Sequence, residues 1–173
     1  MLNCKIELSD GSKSVDPKYI IDKVFAECNN EFCYINLYLI TEKIESEDGK
    51  VKIYYKLNPK NEEIQNFGFS SGVYFILSGD KKKLLYIGKA LDIKVRLKAH
   101  LIKRANSVSS EMFKILEYLR NNKENSIYYH AIETQEEYNA AIEGVLIDYA
   151  ISQANSGVER YKDLFNARKD WFT

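Results

Sequence analysis

The sequence predicts an α+β fold built around one antiparallel hairpin. Three observations carry this reading. Residues 73–77 and 84–87 are short apolar runs that flank the turn Ser78-Gly79-Asp80, which is a hairpin pattern. The pattern then continues as helix, helix, strand, helix, so strands and helices are mixed rather than strictly alternating. The chain has 173 residues, 45% hydrophobic and 29% charged, which is ordinary globular composition and length enough for one domain, or one domain with a small extension.

The elements follow in order. Residues 4–8 alternate and read as a short strand. Asp16-Pro17 starts a helix, with Asp as cap and Pro in the first turn, and Tyr19, Ile20, Val24 and Phe25 supply its apolar face. Residues 32–44 are rich in aromatic and β-branched side chains and read as a long strand. Glu47-Asp48-Gly49-Lys50 is a turn, and residues 51–57 return to complete a hairpin. Asn58-Pro59-Lys60-Asn61 is the best boundary in the chain, separating a small α/β unit (1–66) from the rest (67–173). After the second hairpin, Asp92 caps a helix to about Arg104. Ser109 or Ser110 begins another, with Met112, Ile115, Leu116 and Leu119 on one side. Residues 127–132 form a strand. Thr134-Gln135-Glu136-Glu137 reads as a capping box for a helix ending near Asn155-Ser156-Gly157. A last short helix covers residues 159–165.

The N-terminal segment lacks a basic region followed by an apolar stretch, so no secretory signal is expected. No apolar run approaches the roughly 20 residues of a membrane helix. The cysteines are Cys4, Cys28 and Cys33; an odd count without a signal points to reduced thiols in a cytoplasm. Net charge is zero, but its distribution is uneven. Residues 79–123 hold twelve Lys or Arg against four acids, whereas the remainder holds thirteen against twenty-one. A basic segment on a neutral chain fits either a phosphate-binding face or a solvated helical surface. Its candidates for touching DNA are Lys94, Lys98, Lys103 and Arg104.

Four groups of residues stand out for chemistry. Tyr74 and Tyr86 lie on neighbouring antiparallel strands, sharing faces with Ile76 and Leu84 respectively, so their phenols can emerge side by side. A phenol accepts a proton only if something lowers its pKa from about 10; a nearby lysine or a metal would do that, and Lys89, just past Gly88, is well placed. Arg96 and His100 are four apart and share a helix face beside the core ridge of Ile93, Leu97 and Leu101. Arg offers a planar fork that matches a phosphate, and His transfers protons near neutrality. Glu143 has small or apolar helix neighbours, which leaves three readings: a ligand for a hard divalent cation, a partner of Arg96, or a partly exposed side chain. Asn166 alone reads as a turn residue, and His130 as structural or exposed.

Gly72-Val73-Tyr74, Tyr86-Ile87-Gly88-Lys89, Arg96, Glu143 and Asn166 resemble, in order and approximate spacing, the signature of the GIY-YIG nucleases. That family includes the excinuclease C catalytic domain, intron homing endonucleases, several type II restriction enzymes and phage endonucleases. The resemblance covers about residues 70–168 and is closest over 84–101. The proline usual just upstream of the asparagine is absent here, and His100 stands where members carry Tyr or His. The resemblance implies a central three-stranded antiparallel sheet flanked by helices, with residues 1–66 as an extension. It implies one Mg²⁺ or Mn²⁺ per site, held by Glu143, with Tyr74 as general base. Tyr86 and Lys89 position the nucleophile, Arg96 stabilises phosphoryl charge, and Gly72, Gly88 and Asn166 are structural or phosphate-side positions. The expected substrate is double-stranded DNA, in restriction, phage or repair-type cleavage. A toxin domain and a non-catalytic binding module are the alternatives. A homodimer, or a protein partner through residues 1–66, is compatible with one active site per chain.

Overall fold

The computed structural model describes residues 15–27, 34–59, 71–102 and 111–167. Two hairpins meet on a shared strand. The first pairs β1 (Tyr34–Glu45) with β2 (Val51–Pro59), and the second pairs β3 (Gly72–Ser78) with β4 (Leu84–Ala90). Strand β5 (Ser126–Glu133) lies between them, antiparallel to both β1 and β3. The result is one five-stranded sheet in the order β2-β1-β5-β3-β4. The expected sheet had three strands, which correspond to β5-β3-β4. The first hairpin extends it because β1 offers Ile35 and Leu37 to the same buried face as Ile127 and Tyr129 of β5.

Strand β3 is buried along its whole length, as a central strand covered on both faces must be. One face carries Tyr74, Ile76, Tyr86 and Tyr129. Helices α2 (Ile93–Ile102) and α3 (Glu111–Asn121) cover it, burying Ile93 and Leu97 from one and Met112, Ile115, Leu116 and Leu119 from the other. Helix α2 starts as expected, with Asp92 Oδ1 accepting from the Val95 amide at 2.9 Å. The opposite face carries Phe75 and His130. There α1 (Pro17–Glu27) sends Glu27 to within 3.1 Å of His130 Nε2, and His130 is fully buried. Helix α4 (Asn139–Asn155) packs against α1, β3 and β4.

Three local expectations are corrected. The buried face of α1 is Ile20, Ile21 and Val24, whereas Tyr19 is exposed. No capping box forms at Thr134. A 3-10 turn at Glu136–Tyr138 precedes α4, and the Thr134 hydroxyl donates instead to the Asn139 side chain. The single short helix expected over 159–165 is two 3-10 turns, Glu159–Tyr161 and Phe165–Ala167. The turn at residues 47–50 is present, with Gly49 at φ +75°. The strand expected at 4–8, the helix start at Ser109 or Ser110, and the helix continuation to Arg104 lie outside the described residues.

Candidate active site

The strand register builds the site in two rows. Tyr74 of β3 lies opposite Gly88 of β4 and Ala131 of β5. One step along, Ile76 lies opposite Tyr86 and Tyr129. Large rings therefore alternate with small residues, and the Tyr74 ring has room to lean out of its own row. It fills the space above Gly88, where a Cβ would run into the ring and hydroxyl of Tyr74. Glycine is required there by that close approach. Gly72 serves a similar end, since a side chain at that position would strike the carbonyl of Ile132 on β5.

A cavity of about 200 Å³ gathers Tyr74, Tyr86, Lys89, Arg96, His100 and Glu143, with Ile76, Met112 and Ile115 as its apolar wall. These are the six side chains singled out from the sequence, and four separate elements contribute them. Tyr74 and Tyr86 are hydrogen-bonded through their side chains, with ring centroids 6.0 Å apart. His100 is buried and meets Tyr74 edge-on at 5.4 Å. Arg96, one turn earlier on α2, is exposed at the rim. Lys89 lies opposite Val73 in the register, so it leaves β4 on the face away from Tyr74. Strand β4 lies at the edge of the sheet, and Lys89 lines the cavity from there. Glu143 arrives from α4, and its Oε2 is 3.5 Å from Lys89 Nζ. Glu143 is thus paired with Lys89, where one reading of the sequence paired it with Arg96.

Burial pushes the Tyr74 phenol well above its ordinary pKa, the Tyr86 neighbour adds to the rise, and the Arg96 charge opposes it. Desolvation of the ring outweighs the Arg96 charge, and Lys89 does not lower this pKa. Tyr74 is therefore a protonated hydrogen-bond donor at neutral pH in the protein by itself.

Asn166 approaches β4 from outside. Its Oδ1 accepts from the Ile87 amide at 2.8 Å and its Nδ2 donates to the Ile87 carbonyl at 2.9 Å. The side chain thus takes the place of a further strand along the open edge, next to Tyr86 and Gly88. Lys94 is half-buried and Lys98 exposed on α2, while Lys103 and Arg104 lie outside the described residues.

Two residues were not anticipated. Tyr129 is fully buried and stacked on Tyr74, with centroids 5.1 Å apart and ring planes 11° from parallel. Asn139 is buried at the start of α4 and donates to Ser71 Oγ at 2.8 Å and to the Ala90 carbonyl at 3.2 Å. It ties the helix to the end of β4 one turn before Glu143, which sets Glu143 beside Lys89. The pattern Asn-x-x-x-Glu on a helix was the available signal, since residues four apart share a face.

Residues 70–153 match the family model of the GIY-YIG catalytic domain. The match supports a GIY-YIG nuclease domain over these residues. Nuclease activity, with DNA as substrate, goes with that domain, and GIY-YIG nucleases generally depend on a divalent metal ion. The match spans β3 through most of α4 and so includes all six cavity residues named above, but not Asn166. No curated protein and no solved structure matched the chain. No helix among the described residues is long and apolar enough to cross a membrane.

The donor set bears on what kind of ion fits. No cluster of three or more His, Cys, Asp or Glu able to hold a metal occurs among the described residues. A single carboxylate in an open polar cavity suits a hard divalent ion that keeps most of its waters, rather than a dehydrated ion in a protein cage. The position is also one where the fold already places positive charge, the Lys89 ammonium. The residues fit the family's requirement in that form.

Proposed function

We propose that this chain is a divalent-metal-dependent DNA endonuclease that hydrolyses phosphodiester bonds, with Tyr74 as general base and Glu143 as the carboxylate that holds one Mg²⁺ or Mn²⁺. The supporting observation is the convergence of Tyr74, Tyr86, Lys89, Arg96, His100 and Glu143 on one cavity. Its setting is restriction, phage or repair-type cleavage.

The chemistry divides among these residues as follows. Arg96, planar and exposed at the rim, forks onto the non-bridging oxygens of the scissile phosphate. Water attacks phosphorus in line with the departing 3′ oxygen. Its proton goes to the Tyr74 oxygen, whose own proton leaves through the Tyr86 hydroxyl to solvent, and the departing 3′ oxygen takes up a proton from solvent. Burial holds Tyr74 protonated, so this role needs the positive charge of a loaded site in addition to Arg96. Lys89 and His100 line the same cavity and orient the attacking water by hydrogen bonding. The chemistry an ion held by Glu143 supplies is Lewis acidity toward the phosphate and stabilisation of the leaving oxygen.

The test is cleavage of supercoiled and linear plasmid with Mg²⁺, Mn²⁺ or EDTA, wild type against Glu143→Ala. Discrete fragments lost in the variant and in EDTA support a sequence-specific endonuclease. Nicking or smearing lost in the same way keeps the chemistry and turns the role toward structure-selective or toxin activity. Tight DNA binding without cleavage under any of these conditions refutes the enzymatic reading.

A further inference from the structure

We propose that Tyr129, outside the family signature and outside the cavity, is a positioning residue whose ring holds the Tyr74 ring in its reacting orientation. This rests on the nuclease reading above and adds a residue to it.

The register gives the reason. In its own row Tyr74 is flanked by Gly88 and Ala131, neither of which can hold a ring. Support has to come from the next row, where Ile76 is flanked by Tyr86 and Tyr129. Tyr86 lies against Tyr74 at 6.0 Å with the planes tilted 37°, a loose contact on a half-exposed residue. Tyr129 lies at 5.1 Å with the planes 11° apart, and it is fully buried. His100 meets both rings edge-on, Tyr74 at 5.4 Å and Tyr129 at 6.2 Å. Tyr74 is thus held on one side by a fully buried ring, and His100 is braced by the same ring. Stacked and edge-on aromatic pairs are directional, so the wall fixes the plane of Tyr74 as well as filling space. A base must sit within hydrogen-bond reach of the proton it takes, which makes that orientation part of the reaction.

Tyr129 does not line the cavity and so has no route to substrate except through Tyr74 and His100. An aliphatic replacement keeps much of the apolar burial but removes the flat wall. Phenylalanine keeps the wall and loses only the hydroxyl.

The experiment compares steady-state DNA cleavage and its pH profile for wild type, Tyr129→Phe, Tyr129→Leu and Ile21→Ala, all well below their melting temperatures. Ile21 is equally buried but lies on α1, across the sheet. Tyr129→Phe is expected to keep the wild-type kcat. Tyr129→Leu is expected to lose about tenfold to a hundredfold in kcat, as a misplaced reacting group does, with KM nearly unchanged. Its pH profile should also shift, because a loosened Tyr74 is better hydrated. Ile21→Ala should lose stability without this kcat effect. A Tyr129→Leu variant that cleaves like wild type, or no worse than Ile21→Ala, overturns the proposal. A second measurement needs no destabilised variant: the Tyr74 ring resonances, assigned by their loss in Tyr74→Phe. A slowly flipping, ring-current-shifted Tyr74 supports the clamp, and a freely flipping one refutes it. Wild type without cleavage in Mg²⁺ or Mn²⁺ instead removes the nuclease reading, and the ring resonances then report on the clamp by themselves.

Discussion

Tyr74 and Gly88 face each other across β3 and β4, and the tyrosine ring occupies the volume that any side chain at position 88 needs. The two signature positions are therefore one structural unit. Replacing Gly88 by alanine forces the Tyr74 ring aside, since the ring and hydroxyl of Tyr74 are the atoms a Cβ there would meet. Overpacking of this kind costs about 1–3 kcal/mol. The expected result for Gly88→Ala is a lower melting temperature and a severe loss of cleavage. In Tyr74→Ala/Gly88→Ala, with the ring gone, the alanine at 88 should cost much less stability than it does alone. Additive losses in that double-mutant cycle contradict the steric link.

In the proposed mechanism Arg96 and Glu143 act on charge that develops during the reaction, and neither holds the fold. Arg96 is exposed, and Glu143 touches Lys89 across a partly solvated gap. Arg96→Ala and Glu143→Ala should each lower kcat by about a hundredfold or more, while DNA affinity and melting temperature change little. Arg96→Lys keeps the charge but loses the planar fork, so only partial recovery is expected. Equal losses in DNA affinity and in kcat place these residues in binding instead.

How much of this was legible in the sequence follows from the range of each signal. The hairpin, Asp92 as cap and the six cavity residues are local patterns of turn, cap and helix spacing, and each reads within a few residues. The five-stranded sheet was missed because the pairing of β1 with β5 joins residues about ninety apart, which no local pattern encodes. Tyr129 was missed for the same reason. Its strand reads correctly, but stacking on Tyr74 depends on the register between β3 and β5. The capping box failed because Thr134 has a buried competitor, Asn139, whose amide also serves Ser71 and Ala90. The rise in the Tyr74 pKa was not legible because the sequence shows the lysine and hides the burial.

Asn166 gives a stability test at the sheet edge. Its amide makes both an accepting and a donating bond with Ile87, so Asn166→Ala leaves an edge amide and carbonyl without protein partners. A cost of about 1–3 kcal/mol is expected, the range for hydrogen bonds lost at a half-buried site. Asn166→Asp keeps the acceptor for the Ile87 amide but sets a carboxylate against the Ile87 carbonyl, so it should be no better than alanine. Hydrogen exchange of the Ile87 amide is the direct readout. Protection unchanged in Asn166→Ala is incompatible with the edge-strand role.

The buried phenols set how the fold responds to alkali. Burial raises the pKa of Tyr74 and Tyr129 above the ordinary 10.0, and it pushes Tyr161 up to about 12. In each case the folded state holds its proton more tightly than the unfolded chain does. The associated stability is complete below pH 10, where both states are protonated. It declines as pH rises past 10, because the unfolded phenols ionise first, and for Tyr161 the decline ends near its folded value of about 12. Each such group contributes a slope of about 1.4 kcal/mol per pH unit within its window. Urea midpoints should therefore be flat between pH 7 and 9 and fall steeply from 10 upward. Tyr129→Phe, which has no proton to lose, should start from a similar stability and fall less steeply. Equal slopes for wild type and Tyr129→Phe mean that Tyr129 does not titrate as a buried phenol.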